Sequence, residues 1–211
     1  VINLNVAGAI TQSNGSVAAT NLFLTAGANI GAVNKRIESS VHSLALDSAG
    51  DQFVYEANNV NVSARTSANN GRIDVRTMNG TLTVSANNIN GLSGVTTHGN
   101  GNVTLQGNTD TGIGIYLLGN VTALGGDVDL TGITSTTAGS AQAGVMSSAA
   151  VRAKNISMTA SATGNSGHVI GYYGAGGQFI ASEQLSLTGT SSNSGNGLYT
   201  YGGRYEAGTG M

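Results

Sequence analysis

Two carboxylates, Asp127 and Asp129, stand one residue apart in the glycine-bracketed run GGDVDLTG at residues 125–132. A pair of this kind can work on a glycosidic bond, one carboxyl donating a proton while the other activates water or attacks the sugar. In an extended segment both would point outward beside inward Val128 and Leu130, because alternate side chains leave a strand on opposite faces. Such a site also needs acids or cations from adjacent segments. The equivalent positions are Asn102 and Thr104 before the pair, then Asn155 and Ser157, and Gln184 and Ser186 after it. Amides and hydroxyls do not complete a catalytic constellation, so Asp127 and Asp129 are read as a solvated strand face and the chain as a non-enzyme with no catalytic residue.

The other reactive side chains are equally sparse. His42, His98 and His168 stand alone in a chain without cysteine, and no zinc-ligand spacing links them. The GGDVDL stretch lacks the further Gly and Asp of a calcium-binding nonapeptide. Neither metal nor cofactor is expected. Six N-x-[ST] triplets occur, and Asn102, Asn120 and Asn155 are the candidate glycosylation sites. A composition this rich in Asn, Ser and Thr generates such triplets by itself.

What could position these residues is a short unit written many times: two aliphatic residues flanking one other, then a small polar residue. It reads LNVAG (4–8), LFLTA (22–26), LALDS (44–48), VNVSA (60–64), IDVRT (73–77), LTVSA (82–86), VTLQG (103–107), VDLTG (128–132), ISMTA (156–160) and LSLTG (185–189). Each copy is a short half-buried strand. With IDVRT taken as a second strand within its own turn, the copies recur at roughly 16 to 22 residues and later at about 25 to 29, which suits one turn of a solenoid. The intervals are dense in Gly, Asn, Ser and Thr without a helical apolar period, which excludes a βαβ protein.

Proline tells the same story. The chain has 33 Gly but no Pro, and only 9% charged residues, where about 5% Pro and roughly 25% charge are usual. Proline cannot donate to a β ladder, so a chain whose segments nearly all lie inside one continuous ladder has little room for it. The competing arrangement is an antiparallel sandwich, suggested by six Asn-Gly dipeptides, at Asn14, Asn70, Asn79, Asn90, Asn100 and Asn196, since Asn-Gly favours hairpins. A sandwich has no reason to repeat one strand motif at a regular offset. The fold expected is therefore all-β, a parallel β-helix (β-solenoid) of roughly eight to ten coils, with Asn and Gly turning corners. The pairs Asn58-Asn59, Asn69-Asn70 and Asn87-Asn88 are expected to stack as amide ladders.

One β-helix segment spans 1–211, with shorter coils over 1–100 and longer, looped coils over 101–211. The second half has its own sub-repeat, opening at Gly114, Gly144, Gly171 and Gly197, each Gly followed by an apolar or aromatic residue and then Tyr or Met. Ala123, Ala153, Ala181 and Ala207 close the next strand. Polar loops such as TSTTAGSAQA, SATGNSGH and TSSNSGN lie between units. Stacked in register, Tyr116, Met146, Tyr173 and Tyr199 form an aromatic column, expected in the core rather than on the surface.

Net charge is −2, and the eight Lys and Arg are scattered apart from Lys35-Arg36. No basic stripe awaits nucleic acid. No apolar run approaches the roughly 18 residues of a membrane span, and VINLNVAGAI lacks the shape of a signal peptide. The chain is expected to be part of a longer polypeptide, with more coils of itself, or another copy end to end, as its neighbours.

LFLTAGANIG (22–31), the stretch RIESSVHSLALDSAGDQFVYEANNVNVS (36–63) and GNVTLQG (101–107) together resemble the filamentous-haemagglutinin type of giant bacterial adhesin, exported by the two-partner route. The resemblance runs over most of the chain. It implies a long right-handed parallel β-helix, secreted to the bacterial cell surface, where it mediates adhesion or biofilm contacts, with host glycans or matrix polysaccharide as partners. It also implies that the sequons are of a kind glycosylated in high-molecular-weight adhesins. A self-assembling extracellular filament subunit and a β-helix polysaccharide-active enzyme are the alternatives.

Overall fold

A computed structural model describes residues 1–136, 142–164, 169–192 and 195–208. Among them there is no helix, and every strand pairing between turns is parallel. Each turn stacks on the one before it, aliphatic on aliphatic. Along one wall the inward column runs Leu4, Leu24, Leu46, Ala64, Val95, Val121, Val151, Phe179, Tyr205. Along another it runs Ile37, Val54, Val75, Leu105, Leu130, Met158, Leu187. Nearly all of these side chains are buried and form one continuous core. The fold is a parallel β-solenoid.

Nine residues follow one another in the first of these columns, one to a coil, in keeping with the eight to ten coils expected. Two copies of the repeated unit share a turn: Leu82–Val84 pairs with Val60–Val62, while Val103 and Leu105 pair with Ile73 and Val75 of that same earlier turn. The repeat itself changes wall. The copies starting at Leu4, Leu22, Leu44, Val60 and Leu82 belong to the first wall, and those starting at Ile73, Val103, Val128, Ile156 and Leu185 to the last. Units and turns therefore do not correspond one to one at the crossover.

A turn of the second half has three runs. Gln142–Ser147 makes the first wall, and Ala150–Gly164 carries both the second and the third, with a register shift between Ala153 and Asn155 that bends the strand. In the first half the first two walls are one strand, Val60–Thr66. The expected polar loops are shorter than the sequence suggests, because Val121–Thr136 and Ala150–Gly164 stay in register well past their aliphatic residues. Thr134 and Ala162 continue the inward alternation there, and the Thr134 hydroxyl donates to Gln142 Oε1 at 3.1 Å. His168 and the centres of the three loops lie outside the described residues.

The glycine that opens each sub-repeat has a packing reason. Gly114, Gly144, Gly171 and Gly197 stack at the start of the first wall, facing Gly107, Gly132 and Gly189 at the end of the third. A methyl group on Gly144 would lie 2.6 Å from the Gly132 carbonyl oxygen, inside the backbone of the opposite wall. Glycine in a strand marks such close backbone approach.

Corners differ from expectation in detail. Of the six Asn-Gly pairs, Asn90-Gly91 turns a hairpin: both residues have positive φ, 51° and 86°, and Ile89 and Leu92 exchange two backbone hydrogen bonds across it. The paired asparagines do not stack on one another. Register puts Asn59 beside Thr81 of the next turn, whose N–H donates to Asn59 Oδ1 at 2.7 Å, while Asn88 Oδ1 accepts from Gly91 within its own loop.

Candidate functional site

The ladder that does exist occupies the position just before the third wall, and Asp127 belongs to it. The column contains Asn29, Asp51, Arg72, Asn102, Asp127, Asn155 and Gln184. Side-chain oxygens of Asn29, Asp51, Asn102 and Asn155 each accept the backbone N–H one turn on, from Asp51, Arg72, Asp127 and Gln184, at 2.8–3.2 Å. Asn155 Nδ2 donates to Asp127 Oδ1 at 2.8 Å. Asp127 thus has a structural neighbour above and below it. Asp129 points outward; partial desolvation by its surroundings raises its carboxyl pKa first, and the Asp127 charge adds to this. Its column neighbours are Thr104 and Ser157, the partners that alternation predicts. The groups stacked on this pair are amides and hydroxyls, which supply neither a second acid nor a cation for sugar chemistry.

The three candidate glycosylation residues sit in corner ladders. Asn102 and Asn155 are half-buried in the column just described, and exposed Asn120 accepts the Ala150 N–H at 3.1 Å. Asn155 has both amide atoms engaged, its nitrogen with Asp127 and its oxygen with the Gln184 N–H, so a glycan there would have to fit around the bond to Asp127.

The aromatic column forms in the expected register but faces outward. Tyr116, Met146, Tyr173 and Tyr199 are successive partners. Their sequence neighbours Ile115, Val145 and Tyr172 are the residues that turn into the core. Tyr116, Met146 and Tyr173 are half-buried and Tyr199 is 43% exposed. The Tyr173 and Tyr199 rings stack, centroids 5.5 Å apart and 3° from parallel. The core expectation fails because the residue after an inward aliphatic must alternate outward. Interior aromatics come instead from Tyr172, Phe179 and Tyr205. Tyr172 meets Phe179 edge-to-face at 5.6 Å, and its hydroxyl lies 3.1 Å from that of Tyr205. Burial, then the Tyr205 hydroxyl, push the Tyr172 phenol well above its ordinary range.

Sequence reading missed an ion cluster on the outward face of the third wall. Register places Phe53 beside Asp74, and Glu38, Tyr55 and Arg76 in one outward column. Arg36 reaches across this face to grip Asp74 with two nitrogens, at 3.0 and 2.6 Å, and Arg76 holds the same carboxylate through Nε and Nη2, at 2.8 and 3.0 Å. The Arg36 guanidinium lies 4.9 Å from the Tyr55 ring centre, and that of Arg72 lies 4.7 Å from the Phe53 ring centre. The local part of the signal was present in QFVYE and RIDVR, where Phe53 and Tyr55, and Asp74 and Arg76, alternate outward beside inward Val54 and Val75.

Comparison with protein-family profiles, curated proteins and solved structures finds no match. Among the described residues no three His, Cys, Asp or Glu gather in a way that could hold a metal ion.

Burial raises the Asp74 carboxyl pKa, but the hydrogen bonds and charges of Arg36 and Arg76 outweigh it, and the net shift is downward. A depressed carboxylate contributes stability that is present above its unfolded value, about 3.9, and disappears as pH falls through the folded value. Thermal melts taken from about pH 7 to about pH 3 should therefore show an acid limb that is shallower in Asp74→Asn. At neutral pH that variant should be less stable by about 1–3 kcal/mol, since two guanidiniums lose their shared charge-assisted acceptor.

Proposed function

We propose that this chain is a structural and adhesive stretch of a secreted bacterial surface fibre, built for reach and attachment rather than catalysis. The observation that carries the reading is the turn-on-turn stacking: the same columns continue through every turn along one axis, so length grows by about 4.8 Å per turn. Such an array is extended simply by adding turns. Support also comes from the resemblance of LFLTAGANIG and its neighbours to filamentous-haemagglutinin-type adhesins, and from the outward Tyr116, Tyr173 and Tyr199, whose faces suit sugar rings or a neighbouring fibre. In the same reading, host glycans or matrix polysaccharide are the surfaces it contacts.

The test is to display the chain on a non-adherent bacterium and count cells retained on a polysaccharide-coated surface. Retention should rise and should be unchanged in Asp127→Asn. No gain in retention would refute the adhesive role. Release of reducing sugar that disappears in Asp127→Asn would replace it with an enzyme.

A further inference from the structure

From the ion cluster and the cleft beside it, we infer a binding site for a carboxylated polysaccharide on the outward face of the third wall. This deepens the adhesive reading, on which it rests, by giving it a ligand class and a location. A cleft of about 650 Å³ opens between the loop at residues 12–15 and the tight turn at 32–35, with Tyr55 and Arg76 among its lining residues. Its volume falls within the range of ligand sites. Both sides are held in place by the fold. Gln12 Oε1 accepts the Glu38 N–H at 2.6 Å, tying one loop to the adjacent strand, and Ala32 and Lys35 exchange two backbone bonds that close the other.

The charges around this cleft do not balance. Lys35, Arg36 and Arg76 face only Asp74 and Glu38, a local excess of one positive charge on a chain of net charge −2. The exposed Lys35 ammonium has no ion-pair partner among the described residues. Arg76 spends Nε and Nη2 on Asp74, leaving Nη1 outside that pair, with the Tyr55 hydroxyl as its neutral neighbour. A carboxylate is the anion that a leftover guanidinium edge and an ammonium together select. The remaining lining is polar and neutral, Gln12, Ser13, Asn14 and Asn34, which suits the hydroxyls of a sugar chain. Carboxylates on a hydroxyl-rich polymer describe a uronate polysaccharide. A nucleic acid, held through its phosphates by a basic stripe, finds no such stripe on this face.

The probe is octagalacturonate, titrated calorimetrically into the whole chain, with maltooctaose, monomeric galacturonate and an oligothymidylate as comparison ligands. Octagalacturonate should bind, the other three should not, and affinity should fall about tenfold or more in Lys35→Gln/Arg76→Gln. Arg65→Gln, which removes an exposed cation paired to Asp47 elsewhere on the coil, should bind like the parent. Because Arg76 also supports Asp74, Lys35→Gln alone serves as the second variant, and it should weaken binding without moving the melting temperature. No octagalacturonate binding, equal binding of maltooctaose, or unchanged affinity in both variants overturns the site. Tighter binding of the oligothymidylate overturns it in favour of nucleic acid. Cells that adhere in the display assay while the chain ignores octagalacturonate would remove this site and leave the fibre. Octagalacturonate binding by a chain that confers no adhesion would do the reverse.

Discussion

Gly144→Val should collapse the second half of the coil, lowering stability by about 4 kcal/mol or more, in the range reserved for gross steric conflict. The Cβ itself would enter the space of the Ser161 backbone and stand 2.6 Å from the Gly132 carbonyl oxygen. Two further carbons have nowhere to go, because the partners are main chain in a paired wall and cannot rotate aside. Gly132→Val should behave alike, since it meets the Gly144 carbonyl from the other side. Ala160 occupies the same column as Gly132 and Gly189 and is fully buried, so the corner admits a single methyl at one level. Gly→Ala at 132 or 144 should accordingly cost less than Gly→Val. Chemical denaturation of the four variants checks the order, and a Gly144→Val protein as stable as the parent would contradict close approach of the walls.

Thr131→Pro should be comparably damaging, although its side chain points away from the core. Thr131 is paired on both sides, to Gln106 in the turn below and Thr159 in the turn above. Proline there removes a ladder donor, leaves a carbonyl in the adjacent turn unpaired and places the ring against the neighbouring strand. An orphaned backbone group alone costs about 1–3 kcal/mol, and the steric conflict adds to it. Thr131→Val keeps the N–H and the β-branched shape and should be nearly neutral. Thermal melts of both variants make the comparison. Two proteins of equal stability would mean that position 131 lies at an unpaired edge, and the absence of proline from the chain would lose its explanation.

Much of this architecture is legible in the sequence because the repeated unit has a two-residue period and each wall buries one face. That is why the partners of Asp127 and Asp129, namely Asn102, Thr104, Asn155 and Ser157, and the alanine column from Ala123 to Ala207 follow from aligning the repeats. Alignment does not say which wall a unit occupies. The unit moves from the first wall to the third near residue 100, where two copies share one coil. Parity within the sub-repeat decides the aromatic column: Gly-Ile-Tyr-Leu places Ile115 and Leu117 inward and so Tyr116 outward.

The ion cluster was harder to foresee. Arg36 reaches Asp74 and Arg76 only because residues 38 apart in sequence lie two turns apart in space, and alternation within one strand does not encode that. The corner ladder was hidden for a related reason. Its members are Asn, Asp, Arg and Gln, and what they share is position rather than residue type, with Asn29, Asp51, Asn102 and Asn155 offering a side-chain oxygen to the next turn.

Parallel stacking in this register is the claim beneath everything else, and paired cysteines test it against a clean background, since the chain has none. Ser157 lies beside Ser186 and Thr159 beside Thr188, all four exposed on the outward face. Adjacent strands stand about 4.8 Å apart, within disulfide reach, whereas the crossed pairs 157/188 and 159/186 are separated by about 8 Å. Mild oxidation should therefore link Ser157→Cys/Ser186→Cys and Thr159→Cys/Thr188→Cys, and neither crossed combination. Linking of the crossed pairs in place of the direct ones would make these strands antiparallel and dismantle the solenoid.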